Sequence, residues 1–127
     1  MEFLNRYKSL VHWLPRLSLA SIFLYHGFIK FPMASMMAEM MGMPVFVVYI
    51  QAVVEILAGI FIIVGAFGRE ILTRVAGLII AVIMLGAILM IHIHYGWNGV
   101  LVAEQGVELQ LFILTAGLYF LVKGNDV

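Results

Sequence analysis

The segment Val45–Phe67 reads VFVVYIQAVVEILAGIFIIVGAF and decides how the chain is understood. A helix crosses a bilayer with about 20 consecutive apolar residues, and this stretch supplies them. One residue in it does not belong in hydrocarbon. Glu55 stands near the middle, where a carboxylate costs roughly 2.5–3.5 kcal/mol on insertion scales. Such groups turn towards a partner, a cavity or a task rather than lipid. The rest of the sequence is read for what Glu55 faces.

Composition places that segment in a membrane protein. Of 127 residues, 65% are hydrophobic and 11% charged, whereas soluble domains are nearer half apolar. So few polar groups cannot cover a water-facing exterior. The expected class is all-α, an integral membrane protein with a single domain over 1–127. Net charge is zero, and no basic tract offers a nucleic-acid surface. Cysteine is absent, which excludes disulfides, iron–sulfur clusters and thiol redox chemistry. No intrinsic redox centre is expected. Arg6 and Lys8 precede an apolar run, as in a signal peptide. Pro15 and Arg16 interrupt that run and no small-x-small cleavage site follows, so it is expected to be a retained first span.

Hydropathy gives four spans, at about 14–31, 45–67, 71–91 and 107–122, and hence a four-helix bundle. Pro15 suits a first helical turn, where its missing N–H costs nothing. Segment 32–44 carries Met33, Met36, Met37, Met40 and Met41 and is expected to be a loop with, at most, a short interfacial helix. The link 68–70 is so short that spans two and three must be antiparallel neighbours. With four spans, both termini and the second loop share one side. That side carries Arg6, Lys8, Arg16, Arg69, Arg74 and Lys123; the other has only Lys30. The positive-inside rule then puts both termini in the cytoplasm. Trp13 falls near the inner interface, and Tyr95 and Trp97 near the outer one, as in an aromatic belt.

Helical wheels give each span one polar or small-residue stripe. The stripes are Arg16, Leu19, Phe23, His26 and Lys30; then Gln51, Glu55, Ala58, Ile62 and Ala66, with Gly59 beside them; then Arg74, Ala81, Leu85, Ile88 and His92; and last Glu108, Phe112, Thr115 and Tyr119. Lipid cannot satisfy polar groups, so these stripes are expected to turn inwards. Arg16, Arg74 and Tyr119 fall towards the cytoplasmic end. His26, Lys30, Gln51, His92 and Glu108 fall in the outer half, around Glu55. His94 projects away from His92 and is expected in the loop 94–106.

Several short elements together resemble the DoxX family. They are Arg16 followed by His26-Gly27-Phe28-Ile29-Lys30; Pro44; Glu55 with Gly59 and Gly65; Arg69 and Arg74; Met84-Leu85-Gly86-Ala87 followed by His92; and Gly106-Val107-Glu108. The resemblance implies a small four-helix membrane protein of a prokaryotic cell (inner) membrane. It also implies redox association, since the family is similar to the DoxD subunit associated with archaeal thiosulfate:quinone oxidoreductase. Other members look like partners of secreted or membrane redox enzymes.

On that basis Glu55 and His26 are the candidate proton-handling groups, and imidazole titrates near neutral pH. Lys30, Gln51, His92 and Glu108 are candidate ligand-binding groups for a quinone-like head group, the one cofactor expected. Glu55 could instead fix helix register in a buried ion pair, and Lys30, one turn from His26, could pair with Glu55 or Glu108 or snorkel to the interface. No metal site is expected. His92 and His94, with Glu108 or His26, have no recognised metal spacing, and no porphyrin pocket is specified for His26 and His92. The methionines suit adaptable packing better than a soft metal. Arg16 and Arg74 anchor the cytoplasmic side or hold an anionic group, with Tyr119 bonded to either. Expected partners are membrane lipid and either further copies of the chain or a redox complex. Two other functions fit the same residues: a non-catalytic anchor or assembly subunit, and a small oligomeric transporter.

Overall fold

The computed structural model describes residues 1–95 and 107–127, with side chains through Met90 and from Val107 onwards. The described residues are mostly helical, and there is no strand among them. A 3₁₀ turn at Glu2–Tyr7 leads into α1 (Trp13–Met41), α2 (Val45–Val64), α3 (Glu70–Tyr95) and α4 (Glu108–Lys123). Among the described residues three helical stretches are long and apolar enough to cross a membrane: Trp13–Met41, Val45–Phe67 and Glu70–Met90. α4 has 16 residues, about 24 Å at 1.5 Å per residue, against a hydrocarbon core of about 30 Å.

α1 corrects the expected loop at 32–44. It runs unbroken through Pro32 for 29 residues. Pro32 removes one donor, leaving the Phe28 carbonyl without its usual partner. The residues beyond it, rich in Ala and Met, are strong helix formers, and Ala34 and Ala38 pack on Val48 of α2. The helix stops at Gly42, which takes a left-handed conformation at φ 64°. There the amides of Gly42 and Met43 donate to the carbonyls of Glu39 and Ala38, a Schellman closure. α3 likewise outruns its expected end. No glycine interrupts it between Gly86 and Gly96, so His94 lies on the helix rather than in a loop.

All four helices feed one core: Leu19, Ala20 and Phe23 of α1, Ala58 and Ile62 of α2, Ala76 and Ile80 of α3, and Ile113 and Phe120 of α4. Without a hydrophobic driving force in lipid, close backbone approach takes over, and glycine permits it. A Cβ on Gly77 would come within 2.6 Å of the Gly117 carbonyl, and one on Gly117 within 2.7 Å of Ile80. These two glycines clamp α3 to α4.

That clamp sets which faces turn inwards, and it corrects two of the four expected stripes. On α3 the buried face is Thr73, Ala76, Gly77, Ile80 and Ala81, while Leu85 is exposed. On α4 it is Ile113, Gly117 and Phe120, while Glu108, Phe112, Thr115 and Tyr119 are all exposed. Thr115 has no need of the interior, because its hydroxyl donates to the Phe112 carbonyl at 2.7 Å. On α1 and α2 the expected residues are buried, except that His26 is exposed and Gln51 and Ala66 are half-buried.

Candidate functional site

α1 and α2 are held together by a second pair of close approaches. A Cβ on Gly27 would collide with Ile56 and the Ala52 carbonyl, and one on Gly59 with Leu24. The two glycines bracket the level of Glu55 and bring Lys30 across to it. Lys30 Nζ donates to both Glu55 oxygens at 2.8 Å. Their side chains are only 9% and 4% exposed. Gln51, one turn from Glu55, adds a long contact from Nε2 to Oε1 at 3.4 Å. Glu55 therefore faces Lys30, and each charge neutralises the other inside the bundle.

The pair forms part of the wall of a cavity of about 220 Å³. α1 supplies Ile22, Phe23, His26 and Lys30; α2 supplies Gln51 and Glu55; α3 supplies Ile83, Met84 and Ala87; α4 supplies Leu109, Gln110 and Ile113. His26, though exposed, is fixed: Nδ1 lies 2.8 Å from the Ile22 carbonyl. A carbonyl only accepts, so Nδ1 carries the hydrogen, and in the neutral ring Nε2 keeps a lone pair. Of the residues expected around Glu55, the structure brings His26, Lys30 and Gln51 together. Glu108 stands exposed outside the cavity wall. The side chains of His92 and His94 lie outside the described residues. Gln110 takes the α4 place instead. Sequence reasoning passed over it because Glu108, two residues earlier, is the more conspicuous polar group. Among the described residues no three His, Asp or Glu side chains gather in metal-binding geometry.

A separate polar cluster closes the end of the bundle that carries the termini. Arg16 is 1% exposed. Its Nη1 donates to the Ile62 carbonyl at 2.7 Å and to Thr73 Oγ1 at 3.1 Å; Nη2 donates to Asn125 Oδ1 at 3.0 Å; Nε donates to His12 Nδ1 at 3.1 Å. The guanidinium lies 4.7 Å from the centre of the Phe120 ring, within cation–π range. Thr73 Oγ1 donates to Asn125 Oδ1 at 2.7 Å, and Asn125 Nδ2 donates to the Gly65 carbonyl at 2.8 Å. Burial first, and then the Arg16 charge, holds His12 below its ordinary pKa. The neutral ring is the form that accepts from Arg16. Arg74 is bound to Glu70 and caps α4 by donating to the Leu121 and Val122 carbonyls. Tyr119 is 47% exposed; it packs edge-on against Phe120 and makes no hydrogen bond to either arginine. The faces set by Gly117 and Phe120 turn it outwards.

Packed apolar helices around a buried ion pair that borders a cavity define a membrane protein with an internal polar site. The chain belongs to the DoxX family, whose model matches residues 12–93, well over half its length. It is an integral membrane protein in contact with lipid. The matched region takes in Arg16, His26, Lys30 and Glu55 and ends before α4, so Gln110 and Asn125 lie beyond it. No curated protein and no solved structure matches the chain.

Proposed function

We propose that this protein is the membrane subunit of a redox system, binding a quinone-like head group in the cavity and coupling that binding to proton transfer. The observation that carries the reading is the Lys30–Glu55 pair, nine-tenths buried yet bordering open space. A pair that served only helix register has no need of space beside it, whereas here the lone pairs and the proton that the two side chains do not satisfy for one another have a cavity in which a ligand can meet them. The volume of about 220 Å³ lies below the roughly 300–1,000 Å³ of sites that hold a whole drug-sized ligand. It suits a single ring. When bound, such a ring carries electrons together with protons, and the electrons reach it from a partner protein.

The walls offer what both redox forms of that ring need. The Lys30 ammonium has three donors, of which Glu55 engages two; the third can donate to a carbonyl oxygen. The amides of Gln51 and Gln110 donate or accept. His26 Nε2 can accept from a hydroxyl. A proton reaching Glu55 must displace the bonds from Lys30, so proton transfer and the state of the ion pair are coupled. The measurement is quinone titration of the purified protein across pH. Saturable binding is expected, with a pH dependence that Glu55→Gln alters, because the amide cannot titrate and keeps one acceptor oxygen for Lys30 in place of the two that it now engages. No saturable binding ends the quinone reading. An unchanged pH profile in Glu55→Gln ends the proton role. A partner enzyme that keeps its full turnover with Glu55→Ala favours a non-catalytic anchor.

We also place α4 as a fourth span, with both termini in the cytoplasm of a prokaryotic cell whose inner membrane holds the protein. The support is the crowding of Arg6, Lys8, Arg69, Arg74 and Lys123 on one side, while Lys30 is neutralised by Glu55. The chain has no native cysteine, so single replacements report cleanly. In intact cells, Met40→Cys is expected to react with an impermeant thiol reagent and Ser9→Cys to react only after lysis. The opposite pattern inverts the topology.

A further inference from the structure

Beside the polar cavity lies a larger space of about 390 Å³, and Gln51, Ile83 and Ala87 border both. Beyond those shared residues its lining is apolar. Met41 and Met43 line it, and Met90 borders it from α3. Ile50 and Val82, which also line it, are 57% and 61% exposed. They stand on the outer surface of α2 and α3, which in an integral membrane protein is wetted by lipid tails. The space is thus a groove that opens sideways and runs inwards to the site of the ion pair.

Its origin is a helix gap marked by Gly86. Gly27, Gly59, Gly77 and Gly117 each sit where a Cβ would strike a neighbouring helix, but among the described residues a Cβ on Gly86 would meet nothing within 4 Å. A glycine in a helix interior costs about 1 kcal/mol relative to alanine. Packing does not require Gly86, and what its missing side chain leaves is room in this groove.

We propose that the groove holds the apolar tail of a membrane-dissolved, tailed quinone that enters from the lipid between α2 and α3, its head meeting Lys30 and Glu55. This rests on the head-group reading given above. Three observations converge on a ligand with one polar and one apolar part. The polar cavity is too small for a whole lipid-like ligand, the groove shares its walls, and the groove's mouth lies among exposed apolar residues. Methionine is apt for such a lining, because its flexible thioether adapts to a chain of irregular shape. Lipid is as apolar as the groove, so the tail gains contact and alignment rather than release from water.

Gly86→Leu is the test, because it puts a bulky side chain into the groove from a residue that lines the groove and not the polar cavity. Gly86→Ala, which adds only a methyl group to open space, is the control. Both variants are expected to melt at or above the wild-type temperature. Binding is measured in lipid nanodiscs as quinone retained over empty discs, using an isoprenoid-tailed quinone and the same ring without a tail. The wild type is expected to favour the tailed form. Gly86→Leu is expected to weaken that form by about tenfold, the scale of an overpacked site, while leaving the tail-less ring and the Gly86→Ala protein within about twofold. Equal retention of the two quinones by the wild type, or equal weakening of both by Gly86→Leu, overturns the tail groove and leaves the head-group site standing. Retention of neither overturns the head-group reading and this one with it.

Discussion

Lys30→Met is expected to destabilise the bundle severely, and adding Glu55→Leu is expected to restore it. Alone, the lysine replacement strands a 3%-exposed carboxylate with only the Gln51 amide at 3.4 Å for company. Breaking a buried pair by removing one partner costs about 3–5 kcal/mol, a large share of the 5–15 kcal/mol that holds a domain together. Glu55→Leu alone is expected to cost less. The ammonium it leaves sits on a long flexible stem that can swing towards the bundle's end, whereas Glu55 is short and lies in mid-helix. Removing both charges replaces an ion pair by apolar packing, which is commonly neutral or stabilising by about 1–4 kcal/mol. The double variant should therefore melt near or above the wild type in the same detergent. Its quinone binding should be gone. Thermal unfolding of the four proteins gives the coupling, and one binding measurement on the double variant separates the two roles of the pair. A double variant that folds and still binds quinone assigns Lys30 and Glu55 to structure alone.

The long apolar runs made the helices legible in the sequence, and the charges within them made α1 and α2 legible in orientation. Arg16, Lys30 and Glu55 cannot face lipid, so each marks the inward side of its helix. The same reasoning misplaced α3 and α4 because their polar residues have other outlets. Arg74 reaches Glu70 and two end carbonyls, and Thr115 bonds its own backbone. There the inward face is set by Gly77 and Gly117, which carry no polar group to plot on a wheel. Proline misled in a similar way at position 32, where its local cost is outweighed by the packing of Ala34 and Ala38 on Val48. Within the candidate site, the Lys30–Glu55 pair was readable as one of a few pairings that depth allowed. Gln110 was not, because its position on the wall depends on how α4 is rotated, and that follows from the glycine contact.

The terminal cluster depends mainly on long-range geometry, with partners of Arg16 as far along the chain as Asn125. It yields the second large expected effect: Arg16→Lys will not rescue what Arg16→Met loses. If position 16 needed only a positive charge at the membrane boundary, lysine would serve as well as arginine. The structure asks more of it. Four donor contacts leave Arg16 in four directions, to His12, Ile62, Thr73 and Asn125, while Phe120 lies within cation–π range. A planar guanidinium has the fork and the flat face for this; an ammonium on a shorter reach has neither. Lysine would leave at least one buried acceptor unsatisfied, at about 1–3 kcal/mol each, while still burying a charge. Methionine would lose the donors and remove that charge. Both variants are expected to fall about 2–4 kcal/mol below the wild type, on the scale of one or two such groups, with lysine no better than methionine. Hydrogen exchange at 124–127 should rise in both, since Asn125 ties the end of the chain to Gly65, Thr73 and Arg16. A lysine variant with wild-type melting and a protected C-terminal segment would show that charge alone is sufficient at this position. The polar cavity lies about ten residues further along α1, and quinone binding by whatever fraction stays folded should be unchanged. Position 16 therefore separates the device that closes the bundle from the one that holds the ligand.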